Sequence, residues 1–157
     1  MAEIHDATLS PSKLELVGPW MARQRWYAAK GRLPVLRKLW SWRLDDPAGK
    51  VGIETLVVVD EGGPEPVVYQ VPLTYRGAPL EGGQQALVGT MEHSVLGPRW
   101  VYDGPHDPVY AAQLLALAQT HGLPKRRVHE LIDLVGLHDV ARKRAGKFSL
   151  GMGQRLG

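Results

Sequence analysis

The chain has 157 residues, 44% hydrophobic and 22% charged, which is the balance of a soluble globular protein with room for one ordinary domain and little more. It has no cysteine, so disulfides, thiolate metal sites and a cysteine nucleophile are excluded, and no apolar run approaches the ~20 residues of a membrane span. The net charge of +3 is divided: residues 1–118 hold 11 Lys/Arg against 13 Asp/Glu, while residues 119–157 hold 8 against 3.

The opening Met1-Ala-Glu-Ile-His lacks a basic region followed by an apolar one, so no signal peptide is expected and a cytoplasmic location is. Ser10 can cap a short helix with Pro11 in its first turn, and Leu14, Val17 and Met21 follow at helical spacing. Gly18-Pro19 predicts a break there. In the cation-rich stretch 23–32, Trp26 and Tyr27 are expected to bury against a sheet while the arginines reach solvent.

Strand patterns come next. Residues 39–44 alternate crudely, a turn at Asp46-Pro-Ala-Gly49 follows, and residues 52–60 are rich in Val and Ile. Residues 67–75 pair back as a hairpin, with Pro72 predicting an edge position or a bulge. Residues 86–90 and 99–102 add two short strands, with Trp100 and Tyr102 expected in or near the core beside Trp26. About five strands without long intervening helices predict an antiparallel sheet and an α+β fold with flanking helices.

Asp107-Pro108 then caps a helix that closes at His121-Gly122. Another helix is expected after Pro124, where Val128, Leu131, Ile132 and Val135 fall on one face, and a short basic helix over 140–145 completes an all-helical tail. All five Trp and all five Tyr lie at or before Tyr110, which suggests a junction between about 110 and 122. The basic tail has no aromatic platform beyond Phe148, so a solvated helical face is the preferred reading over nucleic-acid binding.

Candidate chemistry is sparse. His93, Asp103, His106 and Asp107 are close in sequence and can be asked to hold a metal or form an acid–base pair, with Ser94 or Thr90 as a nucleophile beside His106. Their spacing does not place them on one helical face, and Asp107 already serves as a cap. No phosphate-binding G-x-x-x-x-G-K-[ST] loop and no apolar strand ending in Asp-Glu is present, so catalysis is not expected.

Two resemblances add to this. Residues 1 to about 117 resemble the maltokinase N-terminal cap-like proteins of actinobacteria, through Thr8-Leu-Ser-Pro-Ser-Lys-Leu-Glu-Leu16, Arg25-Trp-Tyr27 and Asp45-Asp-Pro-Ala-Gly-Lys-Val-Gly-Ile-Glu54. Val71-Pro-Leu-Thr-Tyr-Arg-Gly-Ala-Pro-Leu80, Ala86-Leu-Val-Gly-Thr90 and the run from His93 to Val109 extend the match. It implies a domain that sits on the amino-terminal lobe of an aminoglycoside-kinase-like fold and supplies no catalytic residue. Residues from about 116 to 157 resemble the helical subdomain of ABC-transporter ATPases. That likeness rests on Arg126-Arg-Val-His-Glu-Leu-Ile-Asp-Leu-Val-Gly-Leu-His-Asp-Val-Ala-Arg-Lys-Arg144 and on Gly146-Lys-Phe-Ser-Leu-Gly-Met-Gly-Gln-Arg-Leu156. In the signature motif Leu150 replaces a glycine and Met152 the glutamine. The implied role of Ser149, Gly151 and Gln154 is contact with ATP in a complete ATPase dimer, so ATP is a cofactor only by resemblance of the tail.

The sequence thus reads as a cap-like domain, residues 1–117, joined to an ATPase helical fragment, residues 118–157. The combination suggests a gene fusion or frameshift product. The expected function is non-catalytic, through a partner or a sugar phosphate, with the cap as accessory to a kinase lobe in trans or the tail as an ABC subunit fragment as alternatives. No metal, nucleic-acid or membrane partner is expected.

Overall fold

The structure, a computed structural model, describes residues 6–122. In chain order it contains β1 (Leu9–Ser10), α1 (Lys13–Met21), β2 (Leu36–Leu44), β3 (Val51–Asp60), β4 (Val67–Arg76), β5 (Leu87–His93), β6 (Gly97–Asp103) and α2 (Pro108–Thr120), with short 3-10 turns before β5 and after β6. All pairings are antiparallel, in the order β1-β5-β6-β4-β3-β2. The fold is α+β, with six strands where the sequence suggested about five.

The additional strand explains where the first helix begins. Leu9 and Ser10 pair with His93 and Glu92, so Ser10 is a strand residue and the cap is Ser12. The Ser12 side chain accepts from the Glu15 backbone N–H, and the Glu15 carboxylate accepts from the Ser12 N–H. This reciprocal pair satisfies two donors that the helix start leaves open. No break occurs at Gly18-Pro19. Pro19 removes one bond, to the Glu15 carbonyl, while Trp20 and Met21 beyond it are buried and hold the last turn.

The sheet lies between the two helices. On one side Val17, Trp20 and Met21 of α1 pack against Leu56, Val58, Val71, Leu73 and Val101. On the other, Tyr110 of α2 packs against Val51 and Ile53. β3, flanked by β4 and β2, is covered on both faces at its Val51–Ile53 end, and its residues are almost continuously buried rather than alternating.

Pro72 sits where β4 has lost its β6 neighbour, because the β4–β6 ladder begins at Leu73. Its missing N–H therefore breaks no ladder bond on that side. The turn after β6 closes over it, and Gly104 approaches so near that a Cβ there would lie 3.0 Å from the Pro72 carbonyl carbon. Asp107 caps α2 by accepting from the Val109 N–H. The helix is continuous through Leu117, and Gly122 follows its end with φ +62°. Tyr27 and Tyr102 are buried as expected and Trp100 is half-buried, but Trp26 is 47% exposed. It lies outside the core because Tyr27 takes the inward place, leaving Trp26 to pack edge-on against Trp20. No helix among the described residues is long and apolar enough to cross a membrane.

Candidate functional site

Three buried carboxylates stand out, and each is engaged by the fold. Asp60, 1% exposed, accepts from Tyr27 Oη at 2.8 Å, Arg32 Nη2 at 2.9 Å, and the backbone N–H groups of Val35 and Gly62. Burial alone would raise its pKa, but these donors outweigh it and hold the carboxyl well below the usual carboxylate range. Burial and the same carboxylate push the Tyr27 phenol up to about 12. The knot ties the loop before β2 to the end of β3.

Asp107 is fully buried and meets Arg76 in a two-pronged pair, both N···O distances 2.7 Å, while Thr74 Oγ1 donates to it at 2.8 Å. Burial opposes ionisation, and the Arg76 and Thr74 bonds more than offset it. Glu54, 2% exposed, is bonded by Lys13 at 2.5 Å and Tyr75 Oη at 3.1 Å, with Arg43 3.9 Å away. Burial works against its charge, and the Lys13 bond leads the contacts that keep it lowered.

The candidates named from sequence do not converge. His93 pairs with Gly97 at one end of β6, whereas Asp103 ends that strand. The six residue steps from Gly97 to Asp103 span about 20 Å. The His93 Nδ1 accepts from the backbone N–H groups of Val95 and Leu96, closing the β5–β6 turn. Ser94 Oγ accepts from the Thr8 N–H and Thr90 lies opposite Trp100, so neither is set against His106. His106 Nε2 is 3.5 Å from Asp103 Oδ2, too long for a strong bond, and burial pushes Asp103 up to about 7. No group of three His, Asp or Glu suited to a metal occurs among the described residues. Ser149, Gly151 and Gln154 lie outside the described residues.

What sequence reasoning missed is an exposed aromatic face on the outer strand. Trp40, Trp42 and Leu44 pair with Val57, Thr55 and Ile53, so they share the face on which α2 packs. That helix covers only the Val51–Ile53 end. Beyond it Trp40 is 61% exposed, its ring 5.4 Å from that of Trp42, and Val68 two strands away is also exposed. Between Lys38 and Trp40 a bulge interrupts the ladder, leaving Leu39 exposed on a strand with no outer neighbour among the described residues. The period-two spacing of the two tryptophans was the available signal.

The described residues thus form a helix-flanked antiparallel sheet with its buried carboxylates bonded internally and an aromatic face left open beside the outer strand. Residues 20–107 match the family described as maltokinase N-terminal cap domain, and the chain belongs to that family. No curated protein and no solved structure matches the chain.

Proposed function

We propose that the chain is a non-catalytic cap domain that binds the catalytic lobe of a maltokinase-type sugar kinase in trans. The observation that carries this is the family match over 20–107, which takes in the whole of β2 to β6. The open face at Trp40 and Trp42 supports it. An exposed Trp40 against a half-buried Trp42, on a strand with no outer neighbour among the described residues, is the composition of an interface centre rather than of a solvated surface.

The tail is read as an ABC ATPase fragment on its residues alone, through the runs at 126–144 and 146–156, which fall outside the family match. On this reading the tail is a passenger from a fusion or frameshift and Ser149 turns over no ATP by itself.

The test is a binding titration between the chain and a maltokinase catalytic domain lacking its own cap. Saturable binding, lost in a Trp40→Ala/Trp42→Ala variant that melts like the parent, is the expected result. Absence of binding to any such kinase sinks the cap reading. ATP hydrolysis abolished by Ser149→Ala sinks the passenger reading.

A further inference from the structure

The opposite face of the sheet holds a second feature. Helix α1 lies close on β5, so that a Cβ at Gly89 would come within 2.5 Å of the Leu16 terminal methyl. Beside the first turn of α1 a groove of about 580 Å³ opens among the described residues, within the usual range of small-molecule sites. Three walls bound it: the start of α1, the β2–β3 turn, and the β5–β6 turn. Its apolar lining includes Leu9, Met91 and Leu96, with the Tyr75 ring among them.

Charge sets the groove apart. Residues 1–118 have more acid than base, yet four of their 11 cations, Lys13, Arg43, Lys50 and Arg99, line this space. Elsewhere Arg32, Arg37 and Arg76 each face a carboxylate of their own. Here Lys13 and Arg43 share the single carboxylate of Glu54. Asp46 also lines the groove, but its oxygens accept from the backbone N–H groups of Ala48, Lys50 and Val51 and are held in the turn. Asp45 at the rim has a partner already. Among the described residues Lys50 and Arg99 enter no ion pair. Arg99 is tied to the Leu96 carbonyl at 2.5 Å through Nη2, while its Nε is buried without a hydrogen-bond partner. Buried side-chain donors are ordinarily satisfied, so this guanidinium retains capacity that the protein does not use.

We propose that the groove binds a small molecule bearing an oxyanion, a phosphate or carboxylate, gripped by Lys50, Arg99 and Arg43 with its body against Tyr75 and Met91. The site belongs to the cap domain itself and needs no kinase, so it stands or falls separately from the function proposed above. The volume exceeds what a bare inorganic ion fills, and the apolar lining gives the rest of the ligand a place.

The experiment is calorimetric titration of the full chain with pyrophosphate and, separately, citrate, at ionic strength fixed with sodium chloride. Because residues 119–157 are themselves basic, an Arg142→Ala/Lys143→Ala/Arg144→Ala variant is titrated beside Lys50→Ala and Arg99→Gln. Saturable binding of at least one anion is expected, weakened about fivefold or more by Lys50→Ala and by Arg99→Gln, and unchanged by the tail variant. The arm that binds more tightly identifies the anion as phosphate or carboxylate. Lys50 is an exposed turn residue, so its variant folds whatever happens to Arg99→Gln. Absence of saturable binding, binding indifferent to Lys50→Ala, or binding abolished by the tail variant each overturns the proposal.

Discussion

Tyr27 donates its phenol proton to Asp60 across 33 positions of chain, Oη to Oδ2 at 2.8 Å, and both side chains are withdrawn from solvent. The bond joins the loop after α1 to the last residue of β3. Arg32 and two backbone donors complete the cluster around the same carboxylate.

Removing the Tyr27 hydroxyl leaves the other donors in place, so Tyr27→Phe should cost about 1–3 kcal/mol. Asp60→Asn leaves Arg32 without its counter-charge and is expected to cost about 3–5 kcal/mol. The folded pKa of Asp60 lies below the unfolded value. The stability it supplies is therefore complete above the unfolded pKa of about 4 and disappears as pH falls through the folded one. Urea unfolding at pH 7 and pH 3 checks both points. The gap between parent and Asp60→Asn should be wide at pH 7 and narrower at pH 3, and a gap independent of pH contradicts the assignment.

Asp107 caps α2 and neutralises Arg76 at once. Asp107→Ala removes both functions and strands a half-buried guanidinium, whereas Asp107→Asn keeps an acceptor for Val109 and Thr74. The alanine variant should lose about 3–5 kcal/mol, and the asparagine variant should recover the part due to capping, about 1 kcal/mol. Equal losses in thermal unfolding would mean that the cap contributes nothing beyond the ion pair.

How far the sequence disclosed this follows from the range of each interaction. Asp107-Pro108 as a helix start and Gly122 as its end are local signals, and the structure has them. Ser10-Pro11 suggests the start of α1, but Ser10 pairs with Glu92, and the cap is Ser12, marked by its S-x-x-E spacing to Glu15. Arg25-Trp-Tyr27 suggests that both aromatics go inward, and only Tyr27 does. The decision rests with Asp60, whose presence beside Tyr27 no local pattern reveals. The Lys13–Glu54 pair, separated by 41 positions, is likewise invisible to spacing, as is the cation-rich groove that Lys13 lines.

Two glycines are required by close approach and should differ in tolerance. At Gly104 a Cβ would meet the backbone of Pro72 at 3.0–3.1 Å, while at Gly89 it would meet the end of the Leu16 side chain. A backbone neighbour cannot step aside without moving β4, but a leucine terminus rotates. Gly104→Ala should cost about 1–3 kcal/mol, the range of overpacking in a filled interior, and Gly89→Ala noticeably less. The reverse order in denaturant unfolding would place the rigid contact at β5 instead.

Asp103 supplies a pH dependence of the opposite sign to that of Asp60. Its side chain is 18% exposed, and burial pushes its pKa up to about 7, well above the unfolded value. Between about pH 4 and 7 the folded chain keeps a proton on Asp103 that the unfolded chain has released. This group's contribution to stability is therefore greatest in acid, falls as pH rises through 7, and is flat above. Asp103→Asn removes the cost of the buried charge, so the variant should melt above the parent at pH 8, with the gap closing towards pH 4. Each kcal/mol released corresponds to a rise of roughly 4 °C or more for a domain of this size. If Asp103→Asn instead melts below the parent at pH 8, the carboxylate is serving there as a stabilising charge, and the desolvation argument fails.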